Sequence, residues 1–156
     1  MKHILVILTI GLTKLGLAEK PNVVLILSDD QSWTDYGFTG HKIIKTPRID
    51  KFASESLTYT RGYVTSPLCR PSLASIFTGL HTPVHGITGN DLLVEGVKGR
   101  SSRSAPKTAP FHEQIYAGFQ KKANLARLLG DAGYLSLQTG KFWEGKPQRH
   151  GFSTAM

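Results

Sequence analysis

The chain has one cysteine, Cys69, among its 156 residues. A lone cysteine closes no internal disulfide, so no disulfide framework holds this fold. Acidic residues are also scarce: 11 Asp and Glu stand against 19 Lys and Arg, for a formal net charge of +8. A basic surface favours anionic ligands such as nucleic acid or acidic glycans. Yet the positive charge is spread along the chain, and no dense Lys/Arg run with interleaved aromatics occurs, so the signature of a nucleic-acid binder is missing. Long apolar runs are absent too. The most apolar stretch, Ile4 to Leu12, is short and followed by Lys14, which argues against a stable membrane span. No internal repeat is present. What remains, 40% apolar and 19% charged residues over about one domain's length, suits a globular protein.

The N-terminus reads as a leader. "MKHILVILTIGLTKLGLAE" begins with Lys2, continues through an apolar core and closes on Gly16-Leu17-Ala18, a small-x-small cleavage pattern. Residues 1–18 are therefore expected to be a secretory signal peptide, and the protein to be secreted or periplasmic. Removal of Lys2 and Lys14 with the leader takes the net charge from +8 to +6.

Beyond the leader, strand and helix patterns alternate. Asn22 to Leu27 is a continuous β-branched and apolar run, the pattern of a strand buried on both faces of a parallel sheet. "TPRIDKFASES" predicts a helix with Thr46 as its cap and Pro47 at its first position. Leu57 to Val64 is a second strand candidate. "RPSLASIFTG" predicts a short helix with Pro71 near its start and Gly79 as its stop. Residues 90–118 are rich in Gly, Ser, Pro and basic residues and read as a long loop. "QKKANLARLLGDAGY" returns to helical spacing, ends at Gly133, and is followed by a third strand candidate in "YLSLQTG". This order predicts an α/β fold with a mostly parallel sheet flanked by helices.

Ligands of such sheets bind beyond the carboxyl ends of the strands. That edge would gather Asp29 and Asp30 after the first strand, Cys69 after the second and Lys141 after the third. Tandem aspartates present oxygen ligands to a hard cation, and equally serve as a loop start. Cys69 at a helix start would face unpaired backbone N–H donors, which favour a thiolate or a bound sulfate or phosphate. Such a cysteine is also a frequent structural thiol. Lys141 is a candidate oxyanion ligand, and His85 in "TPVHGITGND" a candidate for proton transfer or anion binding. A Cys/His protease pairing Cys69 with His81 or His85 fits poorly, because no local protease signature surrounds the cysteine.

Together, "PNVVLILSDDQ", "TPRIDKFASES", "CRPSLASIFTG", "HGI" and "LLGDAGYLSLQTGK" resemble the N-terminal part of the sulfatase family in the alkaline phosphatase superfamily, from about Pro21 to Lys141. The resemblance implies an alkaline phosphatase-like α/β domain, with residues 19–156 as its N-terminal part. It implies that Cys69, at the cysteine of a C-x-P-x-R signature, is converted to formylglycine by a formylglycine-generating or equivalent maturation enzyme. The hydrated aldehyde would be the nucleophile. It further implies a calcium ion held by Asp29, Asp30 and the modified Cys69, a sulfate contact from Lys141 in the position of a G-K-x-H lysine, and a sulfated small molecule or glycan as substrate.

Two positions depart from that pattern. The signature arginine is Leu73, leaving Arg70 as the nearby candidate to substitute, and the G-K-x-H histidine is Trp143. The family's remaining metal ligands have no counterpart after Lys141, where "FWEGKPQRHGFSTAM" holds one His and no Asp or Asn. The expectation is thus a fragment of a sulfuric ester hydrolase, inactive as an isolated 156-residue chain. The alternatives are a truncated remnant that at most binds anions, or a phosphate or phosphonate ester hydrolase of the same superfamily.

Overall fold

The computed structural model describes residues 19–91 and 109–156. The expected signal peptide, and residues 92–108 of the expected loop, lie outside the described residues. Five helices carry most of the regular structure: α1 (Pro47–Ser54), α2 (Cys69–Thr78), α3 (Thr82–His85), α4 (Ala109–Gln120) and α5 (Leu125–Asp131). Two short strands, β1 (Leu137–Gln138) and β2 (Thr154–Ala155), pair in parallel, with Leu137 opposite Thr154 and Gln138 opposite Ala155. Short 3-10 turns cover Gly37–Thr39 and Pro147–His150.

The helices start and stop largely where their residues dictate. Pro47 opens α1, where a missing N–H costs nothing. Thr46 does not cap it. Its hydroxyl instead accepts from the Gly37 N–H at 2.8 Å and donates to Asp50 Oδ1 at 2.7 Å. Asp50 Oδ1 also accepts from the Phe38 N–H at 2.9 Å, so one carboxylate fastens α1 to the preceding turn. A side chain at Gly37 would collide with that carboxylate. α2 begins at Cys69 itself and ends at Gly79, whose φ of 70° and N–H bond to the Ser75 carbonyl make the left-handed stop glycine allows. Asn124 caps α5 by accepting from the Arg127 N–H at 3.1 Å.

Two expectations need correction. Residues 90–118 are not loop throughout, because α4 takes them over from Ala109. Pro110 lies in the first turn, where it is tolerated, and Ile115 and Phe119, four apart, turn one face inward. The strands expected at Asn22–Leu27 and Leu57–Val64 do not form among the described residues. The side chains from Val23 to Leu27 are between 47% and 86% exposed, and Tyr63 and Val64 are exposed as well. A strand exists only through its ladder, and β propensity without a partner strand leaves an extended, unpaired segment. Of Tyr134–Gly140, only Leu137–Gln138 is strand. The regular structure described is thus helices with one small parallel sheet.

The core lies between α2, α4 and the segment after β1. Ala74, Ile87 and Phe119 are buried, with Phe77 and Ile115 packed against them. Phe77 stacks on Phe152 at 5.2 Å and on Phe119 at 6.2 Å between centroids, and meets Phe142 edge-on at 5.9 Å. Both geometries suit the ring quadrupole. This cluster seats Phe142, and with it the neighbouring Lys141, against the helix that begins at Cys69.

Candidate active site

Asp29 and Asp30 end the extended segment. In a continued strand, successive side chains would point to opposite faces. Here the backbone turns at Asp30, whose φ of 53° is the only positive value on a non-glycine among the described residues. Aspartate tolerates that conformation better than most residues, and the turn lets two adjacent carboxylates converge. One oxygen of each and the Cys69 Sγ lie within 4.8 Å of one another. Lys141 reaches the same point, its ammonium paired with Asp29 Oδ2. The structure thus brings four of the five expected site residues together, from three separate parts of the chain.

The charges respond to each other. Lys141 lowers the Asp29 pKa through their hydrogen bond, and the Cys69 thiol, a second hydrogen-bonding neighbour, lowers it further. Asp29 in turn raises the Lys141 pKa, with Cys69 and Asp30 contributing in the same direction. Lys141 also sits 5.8 Å from the centroid of the Trp143 ring, the residue that replaces a histidine of the family motif. The pair is about half exposed, so its contribution to folding is small.

The two carboxylate oxygens suit a hard cation, whereas the Cys69 sulfur is a soft donor standing where an oxygen of the oxidised residue would sit. Two atoms on opposite sides of a calcium ion, each about 2.4 Å from it, are about 4.8 Å apart, and the three candidate atoms lie within that limit of one another. Three donors are still fewer than the roughly six to eight that calcium takes. The carboxylate that would hold the ion also holds an ammonium here, which shows that this point attracts positive charge.

The fifth expected residue, His85, stands elsewhere. It is buried beneath α2, with Nδ1 accepting from the Ile87 N–H at 3.0 Å and Nε2 lying 2.9 Å from Ser75 Oγ. The first contact assigns the tautomer, so Nε2–H donates to Ser75. Ser75 Oγ also bonds Thr65 Oγ1 at 2.7 Å. Both ring nitrogens are therefore committed, and burial lowers the pKa of the ring. Among the described residues no metal-capable cluster includes His85 with Cys69, and no Cys/His dyad is built with His81, which is exposed at the start of α3.

Arg70 does not stand in for the missing signature arginine. Its guanidinium is buried and grips Glu144 with two bonds, Nε to Oε1 at 2.6 Å and Nη2 to Oε2 at 2.7 Å. Its backbone N–H is taken by Asn90 Oδ1 at 2.9 Å, and Pro71 has none to give. The amide cradle expected at the start of α2 is correspondingly reduced. Glu144 and Asn90 escaped notice in the sequence, because a lone Glu after an aromatic pair and an Asn in a Gly-rich turn carry no local signal. An apolar groove of about 380 Å³ runs along α2, lined by Tyr63, Val64, Ser75, Ile76 and Leu80, but none of the four gathered residues borders it.

The structure thus gathers tandem acids, a cysteine and a lysine at the start of a helix, after an extended apolar segment. The comparisons with known proteins add to this. The sulfatase family model matches residues 21–156, and the chain belongs to the sulfatase family. It is 31% identical over 155 residues to an N-acetylgalactosamine-6-sulfatase of Mus musculus, covering 96% of this chain and 28% of that protein. A steryl-sulfatase of Mus musculus is 30% identical over 143 residues, covering 85% of this chain and 21% of its own length. An ulvan-active sulfatase of Formosa agariphila matches at 34% over 75 residues, 48% of this chain and 15% of that protein. The chain thus spans between about a seventh and three tenths of the length of these relatives. Family membership carries the α/β class of fold with it. Among the described residues no helix is long and apolar enough to cross a membrane.

Proposed function

We propose that this chain carries the nucleophile, two cation ligands and the sulfate-contacting lysine of an exported sulfuric ester hydrolase, set in a mostly parallel sheet flanked by helices. The observation that supports this most is the convergence of Asp29, Asp30 and Cys69 within 4.8 Å, with Lys141 on Asp29. Cys69 is oxidised to formylglycine by a maturation enzyme, which supplies the two-electron oxidant while the thiol sulfur leaves as sulfide, and the hydrated aldehyde supplies the attacking oxygen. That oxygen forms a bond to sulfur as the S–O bond to the alcohol breaks, and the alcohol leaves with a proton. The second hydroxyl of the hydrate then gives up its proton, the C=O bond reforms and sulfate departs. A divalent cation, calcium by family habit, would be held by Asp29, Asp30 and the modified residue at position 69, and would lower the pKa of the attacking hydroxyl. Lys141 orients the sulfate and offsets its charge. His85 has its ring nitrogens engaged away from the cluster, so its part is to brace α2.

The basic composition and the relatives' names together favour a sulfated glycan as substrate. The leader-like residues 1–18 favour export. A second reading, an anion-binding chain without turnover, draws on Leu73 at the arginine position and on Arg70 being held by Glu144.

The test is hydrolysis of an aryl sulfate and of the matching phosphate ester by the polypeptide carrying this sequence, purified from its native host. Preference for the sulfate ester supports the proposal, preference for the phosphate ester favours the phosphatase alternative, and turnover of neither favours the anion-binding reading.

A further inference from the structure

We propose that the buried Arg70–Glu144 fork sets the separation between Cys69 and Lys141, making Arg70 and Glu144 positioning residues for the site. The inference rests on the reading that Cys69 and Lys141 act on one group. Arg70 directly follows Cys69 in the first turn of α2, and Glu144 lies three residues after Lys141. The two side chains, 4% and 5% exposed, meet through parallel bonds of 2.6 and 2.7 Å. A bidentate fork fixes orientation as well as distance, which a single lysine contact would not do.

Both ends of the fork are themselves anchored. The Arg70 N–H donates to Asn90 Oδ1 at 2.9 Å, and the Glu144 carbonyl accepts from His150 Nε2 at 2.7 Å. The other links between these segments constrain less. Phe142 meets Phe77 edge-on at 5.9 Å, an apolar contact that permits sliding. The Lys141–Asp29 pair is half exposed, and pairs of that kind hold geometry weakly. The buried fork is the directional, desolvated link, and it joins the residue beside the nucleophile position to the loop of the sulfate-contacting lysine.

Cys69 is the only cysteine, which makes a direct distance test clean. The chain is produced in a host that leaves Cys69 as a thiol, with Lys141→Cys introduced. A short bismaleimide then measures how fast positions 69 and 141 are bridged, with and without the double change Arg70→Met and Glu144→Met. Replacing both charges by apolar side chains avoids an orphaned buried ion, so the fold is expected to survive, as thermal melting would show. The expected result is ready cross-linking with the fork present, and cross-linking about tenfold slower without it at an unchanged Tm, as the local effective concentration drops. Equal rates at equal Tm overturn the inference and leave the shared site standing. Absence of any cross-link with the fork intact overturns the shared site and the inference together. Should the methionine pair melt, Glu144→Gln keeps the shape without the charge and is read the same way: slower bridging supports the role, unchanged bridging ends it.

Discussion

Asp29 is the residue on which the site's electrostatics turn, since it touches Lys141 and Cys69 and is offered to any cation. Asp29→Asn removes the charge and keeps the shape. Calcium affinity measured by calorimetry is expected to fall by at least about 10–100-fold, the range for losing a group that only supports a ligand; an unchanged affinity would place the ion elsewhere. The buried histidines give a pH prediction. Burial lowers the pKa of His85 and of His150, so each takes its proton in the folded state only below its usual value of about 6.5. The unfolded chain therefore binds more protons in that range. The stability these rings contribute is present above about pH 6.5 and is lost as pH falls through the folded values. Tm measured from pH 8 to pH 5 is expected to drop on the acid side, and a flat profile would contradict the buried neutral assignment. The four gathered residues were legible because Asp29 and Asp30 close an extended apolar run, Cys69 opens a helix and Lys141 follows β1 in a Gly-containing turn, all places where a local pattern breaks. The surroundings of His85 were not legible, because a histidine in a turn carries no mark of burial and only the partners Ser75 and Ile87 reveal it.

At the scale of elements, α2 is the part everything else locates. It carries Cys69 at its start, Arg70 against Glu144, Ser75 against His85 and Phe77 in the aromatic cluster. Two substitutions probe how it is held. Arg70→Met alone leaves Glu144 as a buried, unpaired carboxylate and is expected to cost about 3–5 kcal/mol in denaturant unfolding. Ser75→Ala leaves the His85 Nε2–H and the Thr65 hydroxyl without that partner, with an expected cost of about 1–3 kcal/mol. The start of α1 and the stops of α2 and α5 could be read from Pro47, Gly79 and Gly133, since such signals are local chemistry. The strands could not. Whether Val23–Leu27 becomes a strand depends on a ladder partner distant in the sequence, and no local pattern supplies one. α4 was hidden for a related reason: Pro110 and Gly118 look like breakers until Ile115 and Phe119 are seen packing on α2.

For the whole molecule, the exposed apolar segments matter most. Val23 to Leu27, Leu57, Tyr59, Tyr63 and Val64 present exposed apolar surface. The isolated 156-residue chain is expected to bind a hydrophobic dye such as ANS and to self-associate, and Leu25→Lys with Ile26→Lys is expected to reduce both, as followed by sedimentation velocity. The same chain, whose described residues bring only three candidate cation-donor atoms together, is expected to show no turnover of an aryl sulfate. The central claim, that Cys69 is the precursor of a nucleophile, has a more direct test. Mass spectrometry of the peptide spanning position 69, from protein made in its native host, reads the chemical state of that side chain. The account predicts conversion of the thiol to the aldehyde, despite Leu73. An intact thiol throughout the sample would contradict it.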